Sequence, residues 1–502
     1  MKTTFWKTLL ALLLVLLMIC GLLSGCAGNL NAEDTTASAT ENTDASETAS
    51  DDEKIHLRLL AEEDDQRLIY LNAVVRQFEK SHENVDIKVE LLTSDWTKRS
   101  AQVERLRIEI MAGKGPDIFV LPGRMINSTL ESLFVDVEQS MHNGIFADIT
   151  SYYDADEELD KEAFVTEVMD AGVADDTRYL LPLQYNMPII YLDEQAVVEI
   201  GVAVENLASS VDSLFTTLIE KDDTVLGNCN IPLLQTNYAL DMFPGLLNYS
   251  TGEVEVTVDE LSDYLRKYQA LARLGGRDCD EELLYTPASL SRYVRNGRFW
   301  HDAGYPLHIM DMNFALDYMA IAKSQEWELQ MYPLRTTDGK TVANVTYWAG
   351  INANCENIDV GYEFLRTLLS EKFQFESIVA YRGFKQPKPE DLLTDGWPVR
   401  RKGSVEPLWS ALAIRVNRVK EYGTLDEIRK DVVNTEVEFS EEDFSILYEP
   451  IDVVRFSMDY EREVARQMST LNEGLHYFET DVDIDKMAKD IIWNLQLHLG
   501  EG

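Results

Sequence analysis

Apolar and polar positions change rhythm several times between residues 55 and 121, and each change predicts an element. Ile55 to Leu60 is an apolar run of strand length. Leu68, Leu71, Val75 and Phe78 then recur at helical spacing, one stripe of an amphipathic helix. Val85, Ile87, Val89 and Leu91 alternate with Asp86, Lys88 and Glu90, the two-residue period of a half-buried strand. A second helix carries Val103, Leu106, Ile110 and Met111, and Gly113-Lys114-Gly115-Pro116 breaks it. Asp117 to Leu121 is a short buried strand. Strand, helix, strand, helix, strand predicts an α/β fold with parallel pairing through right-handed crossovers. Ligands bind such sheets beyond the carboxyl ends of the strands, so residues 61–66, 93–98 and 122–127 are candidate binding loops. Near the end, Ile484, Met487, Ile491 and Leu495 mark one more helix.

The first 53 residues follow another pattern. Lys2 and Lys7 precede an apolar run from Leu9 to Leu23, closed by Leu23-Ser24-Gly25-Cys26. A charged start, a short apolar core and small residues are the parts of a secretory signal peptide. The run of about fifteen residues falls short of the roughly 20 that span a bilayer, which argues against the alternative of an uncleaved anchor. The tetrad before Cys26 resembles the bacterial lipobox. That resemblance implies cleavage after residue 25, lipidation of Cys26 and a place on the outer face of the cell membrane. Dual acylation holds a protein there stably, at about 0.8 kcal/mol per buried methylene. Residues 27–53 carry eight acids, no base, no aromatic and only Leu30 as a large apolar side chain. Such a segment cannot offset its ordering entropy and reads as a disordered linker.

Charge and cysteine content narrow the function further. With 88 acidic and 45 basic side chains in 502 residues, the net charge is −43. A field of that sign repels nucleic-acid backbones, so no nucleic-acid partner is expected. Apart from Cys20 and Cys26, the cysteines are Cys229, Cys279 and Cys355, which fit either one disulfide with a free thiol or three buried thiols. No structural disulfide is predicted. About 450 residues from Lys54 onward is too long for one core, so two domains are expected.

Three later stretches carry a resemblance. Met111-Ala112-Gly113-Lys114-Gly115-Pro116-Asp117-Ile118 is similar to an element of the bacterial extracellular solute-binding proteins, the maltose and oligosaccharide group. Tyr179-Leu180-Leu181-Pro182 with Ile190-Tyr191 resembles that family's first crossing between lobes. Tyr347-Trp348-Ala349-Gly350-Ile351-Asn352-Ala353, followed by a helix from Val360 to Phe373, resembles its return segment. The resemblance implies a type II periplasmic-binding-protein-like fold, two α/β lobes joined by a hinge of crossing strands. It divides the chain into a signal peptide (1–25), a lipidated linker (26–53), a first lobe (54–187 plus 331–380) and a second lobe (188–330 plus 381–502). It also implies a small-molecule solute, most simply a sugar or oligosaccharide, and ABC transporter permease subunits as partners of a monomeric receptor without a catalytic step. Two departures concern the ligand. The family's Gly-x-Trp gives way to Asp311, Asn313 and Phe314, and the late turn to Tyr381-Arg382-Gly383-Phe384-Lys385-Gln386-Pro387.

Sugar recognition requires polar partners for hydroxyls and a flat aromatic surface for the pyranose face. Trp348, Tyr185, Trp96, Trp300 and Phe314 are the aromatic candidates; Trp348 fits a cleft wall and an ordinary core position equally well. Tyr185 aligns by resemblance with a ligand-contacting position in the crossing. Glu62, Glu63, Asp64 and Asp65 follow the first strand as ligand contacts or as a solvated acidic loop. Arg124 is a candidate donor beyond the third strand or a surface arginine. Asp311 and Asn313 complete the polar set. No GxSxG elbow or HExxH pair occurs. Gly304 and Pro306 separate His301 from His308, and Asp481-x-Asp483-x-Asp485 lacks the glycine and glutamate of a calcium loop, so neither metal nor cofactor is expected. The alternatives are a secreted glycoside hydrolase, whose two carboxylates leave no motif, and a surface adhesion lipoprotein.

Overall fold

The computed structural model describes residues 54–65, 67–123, 130–199, 201–221, 242–243, 245–275, 307–311, 323, 329–378, 397–401, 413–419, 432–438, 440–456, scattered positions from 460 to 471, and 482–500. The signal segment, Cys26 and the linker lie outside the described residues. In chain order the main elements begin with β1 (Ile55–Glu62), α1 (Leu68–Ser81), β2 (Val85–Leu92), α2 (Trp96–Met111), β3 (Ile118–Pro122), β4 (Leu180–Asn186) and β5 (Pro188–Asp193). They continue with α3 (Val211–Lys221), α4 (Val258–Gly275), β6 (Leu307–Asp311), β7 (Leu329–Pro333), β8 (Val342–Ile351) and α5 (Ile358–Leu368). The last are β9 (Trp397–Pro398), β10 (Val453–Arg455) and α6 (Ile484–Gly500).

Two sheets organise two lobes. The first runs β9-β4-β8-β3-β1-β2, with β10 beside the start of β8. β1 pairs in parallel with both β2 and β3, as the alternation of strand and helix predicts. β8 closes the central position antiparallel to β3 and β4, and all ten of its residues are buried. The second sheet is β6-β5-β7, antiparallel throughout. Only Met187 separates β4 in the first sheet from β5 in the second, so the chain crosses between lobes there. It crosses back between β7 and β8.

Local chemistry accounts for the boundaries. Asp95 caps α2 by accepting from the Thr97 N–H at 3.0 Å. Gly113, at φ +71°, turns the chain just past the end of α2 where a side chain would be strained. Asn352, just after β8, donates to the carbonyls of Lys114 and Pro116 at 3.2 and 2.9 Å and ties down this turn. Leu71, Val75 and Phe78 bury the predicted stripe of α1. Met111, expected on the buried stripe of α2, is 87% exposed because it stands at the very end of the helix, beyond the sheet.

Each lobe has its own core. The first gathers Leu59, Phe119, Leu183, Trp348 and Phe364; the second gathers Leu192, Phe215, Tyr268 and Leu334. α6 packs on α4 in the second core through Ala488, Ile491 and Leu495. Trp397, Val399, Phe444 and Phe456 pack into the first core, although a division at residue 380 assigns them to the second lobe. Pairing of β9 with β4 and of β10 with β8 draws them there.

Candidate functional site

The carboxyl ends of β1, β2 and β3 lie together at the edge where the chain crosses between lobes. Gly123 lets the end of β3 approach β8, since a Cβ there would sit 2.0 Å from the Val345 carbonyl oxygen. Its N–H donates to Thr346 O at 2.9 Å. The β8–β4 register shifts at this point, placing Tyr347 opposite Gln184.

A buried polar cluster results. The Arg67 guanidinium donates through Nη1 to Gln184 Oε1 and through Nε to Asp65 Oδ1, both at 2.7 Å. It also lies over the Tyr347 ring, 3.8 Å from the centroid. The Asp65 side chain is 3% exposed, and its Oδ2 has no hydrogen-bond partner among the described residues. The Tyr347 hydroxyl is buried beside Asp65, and burial, reinforced by the Asp65 carboxylate, pushes its pKa well above the usual phenol range.

Outside this cluster the first and second loops meet. Glu63 Oε2 accepts from Ser94 N at 2.8 Å and from Thr93 Oγ1 at 3.0 Å, joining the first loop to the second. These hydrogen bonds, the Ser94 N–H foremost, hold its carboxyl below the ordinary range. Asp64 is exposed at the tip. Asp95 accepts from Lys98 and Thr97, which lowers its pKa to about 2. Trp96, the first residue of α2, is 75% exposed, an extreme value for a side chain that is highly buried on average. It presents a flat aromatic surface beside carboxylates and hydroxyls.

Other expected site residues take different places. Glu62 is no open contact: it forms a buried bidentate pair with Arg99, at 2.7 Å on both oxygens. Strand β1 runs to Glu62, two residues beyond the expected end, and puts it on the same side as Leu60. Burial raises its pKa while Arg99 opposes the rise. Trp348 is no cleft wall. It is 1% exposed, with its ring 5.5 Å from Phe146 and 5.8 Å from Phe134. Tyr185 is buried too, and burial raises its pKa, with Arg401 opposing. Its neighbour Gln184 is the residue that meets Arg67, because successive strand residues face opposite sides. The backbone of Asp311 pairs with Pro188 at the crossing. Arg124, Trp300, Asn313 and Phe314 lie outside the described residues.

Sequence reasoning overlooked Arg67, Gln184 and Tyr347. A signal existed for Tyr347, which adjoins Trp348 in the same motif, and for Arg67, which follows the acidic run; Gln184 had none. Cys355 is a buried free thiol whose pKa burial pushes up to about 11. Among the described residues no group of three acids, histidines or cysteines could hold a metal, and no helix is long and apolar enough to cross a membrane.

No family model and no curated protein matches the chain. Solved structures do. An extracellular solute-binding protein family 1 member from Alicyclobacillus acidocaldarius is 13% identical, with 89% of this chain and 98% of that one covered and a TM-score of 0.50. A de novo designed cysteine esterase is 12% identical over 89% and 99%, with a TM-score of 0.53. An ABC substrate-binding protein from Listeria monocytogenes, in complex with cycloalternan, is 14% identical over 89% and 99% at 0.47. The fold is thus the two-lobed, periplasmic-binding-protein-like α/β fold.

Proposed function

We propose that this chain is an extracytoplasmic, lipid-anchored receptor that captures a carbohydrate between its lobes and presents it to an ABC importer. The observation that carries the reading is Trp96, an exposed indole at the carboxyl end of a parallel sheet, flanked by the Glu63–Ser94 loops and exposed Asp64. A sugar face stacks on such a ring while its hydroxyls donate to carboxylates. The likeness to a solute-binding protein over most of both chains supports capture by hinge closure, in which ligand shifts the lobes toward the closed state. Anchoring rests on the lipobox-like tetrad ending at Cys26.

A thermal-shift screen of neutral mono- and oligosaccharides tests the reading. A solute at 100 times its dissociation constant stabilises by about 2.7 kcal/mol, a readily measured rise in melting temperature. The hit should be recovered chemically unchanged. Its hydrolysis would establish an enzyme instead, a distinction that the fold leaves open because designed esterases share it. For the anchor, Cys26→Ala should release or misprocess the protein. Wild-type protein found full-length and unlipidated at the membrane would exclude lipoprotein processing.

A further inference from the structure

The long C-terminal helix has no part in the site just described, yet its last turn leaves its own lobe. α6 is rooted in the second core by Ala488, Ile491 and Leu495. Its His498 reaches Asp136 of the first lobe, with Nε2 2.8 Å from Asp136 Oδ2. The Tyr249 hydroxyl, from a separate hairpin of the second lobe, donates to the same oxygen. Asp136 is only 4% exposed, and its other oxygen accepts the Gln139 N–H at 3.0 Å, capping the short helix Val137–His142. One carboxylate therefore fixes a helix of the first lobe with Oδ1 and receives two donors of the second with Oδ2.

Neighbouring contacts repeat the pattern. Gln139 Nε2 donates to the His498 carbonyl at 3.3 Å. The His142 ring stacks on Tyr249 at 5.6 Å, and Ser250 Oγ donates to Asp175 at 3.3 Å. Every one of these contacts joins an element of the first core to an element of the second, and almost all are polar. Hydrogen bonds of this kind are replaced by water when lobes part, so the seam opens without exposing a core.

We propose that Asp136, gripped by His498 at the end of α6 and by Tyr249, is a clasp between the lobes. The C-terminal helix then serves as the arm that carries the clasp, and the lobe equilibrium is set at this point as well as at the crossing strands. The inference rests on the two-lobed fold and not on the identity of the solute.

Small-angle scattering and hydrogen exchange of the full chain, without added ligand, test it. The double variant Tyr249→Phe/His498→Gln should show a larger radius of gyration. It should also show faster exchange at 136–142 and 484–500, with core amides of both sheets still protected. His56→Gln serves as control, since His56 forms an exposed pair of the same kind with Asp86 inside one sheet, at 3.1 Å. It should change neither readout. Tyr249→Phe alone, which removes a single hydroxyl, should move both in the same direction by less. An unchanged radius and unchanged exchange in the double variant overturn the clasp. An equal change in His56→Gln also overturns it, because the effect would then belong to any histidine–carboxylate pair.

Discussion

Replacing Trp348 by alanine separates core from cleft in one protein. The indole is 1% exposed and is bounded by Phe134, Phe146 and Phe456, on a strand paired along both edges. Neighbours held this way cannot collapse into the space, so most of the cavity persists. Its Nε1 has no hydrogen-bond partner among the described residues, so the loss is one of transfer and packing alone. Buried Trp→Ala changes cost about 3–5 kcal/mol. At about 2–4 °C per kcal/mol for a lobe of 150–250 residues, the melting temperature should fall by roughly 6–20 °C. Thermal and denaturant unfolding, followed by near-ultraviolet circular dichroism, read the loss. Affinity for a hit from the sugar screen should persist in the folded fraction. A fall of less than about 2 °C together with lost affinity would refute the reasoning, since only a ligand-facing ring behaves so.

Three further variants, at two sites, test electrostatics. Burial, reinforced by Asp136, raises the Glu138 pKa from 4.5 to about 7, so the folded chain keeps a proton that the unfolded chain has lost. The stability tied to that proton is complete below pH ~4.5 and is lost as pH rises through 7, a fall of about 3 kcal/mol. Glu138→Gln, neutral throughout, should out-melt the wild type at pH 8 and match it near pH 4.5; parallel pH profiles would contradict the assignment. Arg99→Met strands Glu62 and should cost about 3–5 kcal/mol in denaturant unfolding, whereas Arg99→Met/Glu62→Leu should recover most of it. A single-variant loss below about 1 kcal/mol would place the pair in solvent.

What the sequence disclosed was set locally. The alternation from Val85 to Val89 and the stripe Leu68, Leu71, Val75, Phe78, with Leu68 only partly buried, each reflect one element against one core and match the structure. At the strand's end, by contrast, Leu92 is buried and Leu91, expected inside, is exposed. The motifs that suggested the family prove to be joints of the fold: Asn352 of the return segment holds the Gly113–Pro116 turn at the far end of the sheet from the candidate site. Motif recognition was therefore a sound guide to architecture and a weak one to ligand contacts. Site residues depend on pairings no local pattern carries. Glu62 turns inward because Arg99 arrives from a helix 37 positions away. Gln184, not Tyr185, meets Arg67 because it faces the other side of β4, where the shifted register of β8 sets Tyr347 opposite it. Trp96 was legible as an aromatic in the second binding loop, but its exposure depends on how α2 begins.

Calorimetric titration of a sugar hit into wild type and Trp96→Ala addresses the central claim most directly. Removing an exposed indole that stacks on a ligand should leave melting temperature unchanged and weaken binding by about 10–100-fold, a few kcal/mol. Equal affinity in the two proteins, with the solute otherwise bound and unaltered, would contradict the placement of the binding site at the carboxyl ends of β1 and β2.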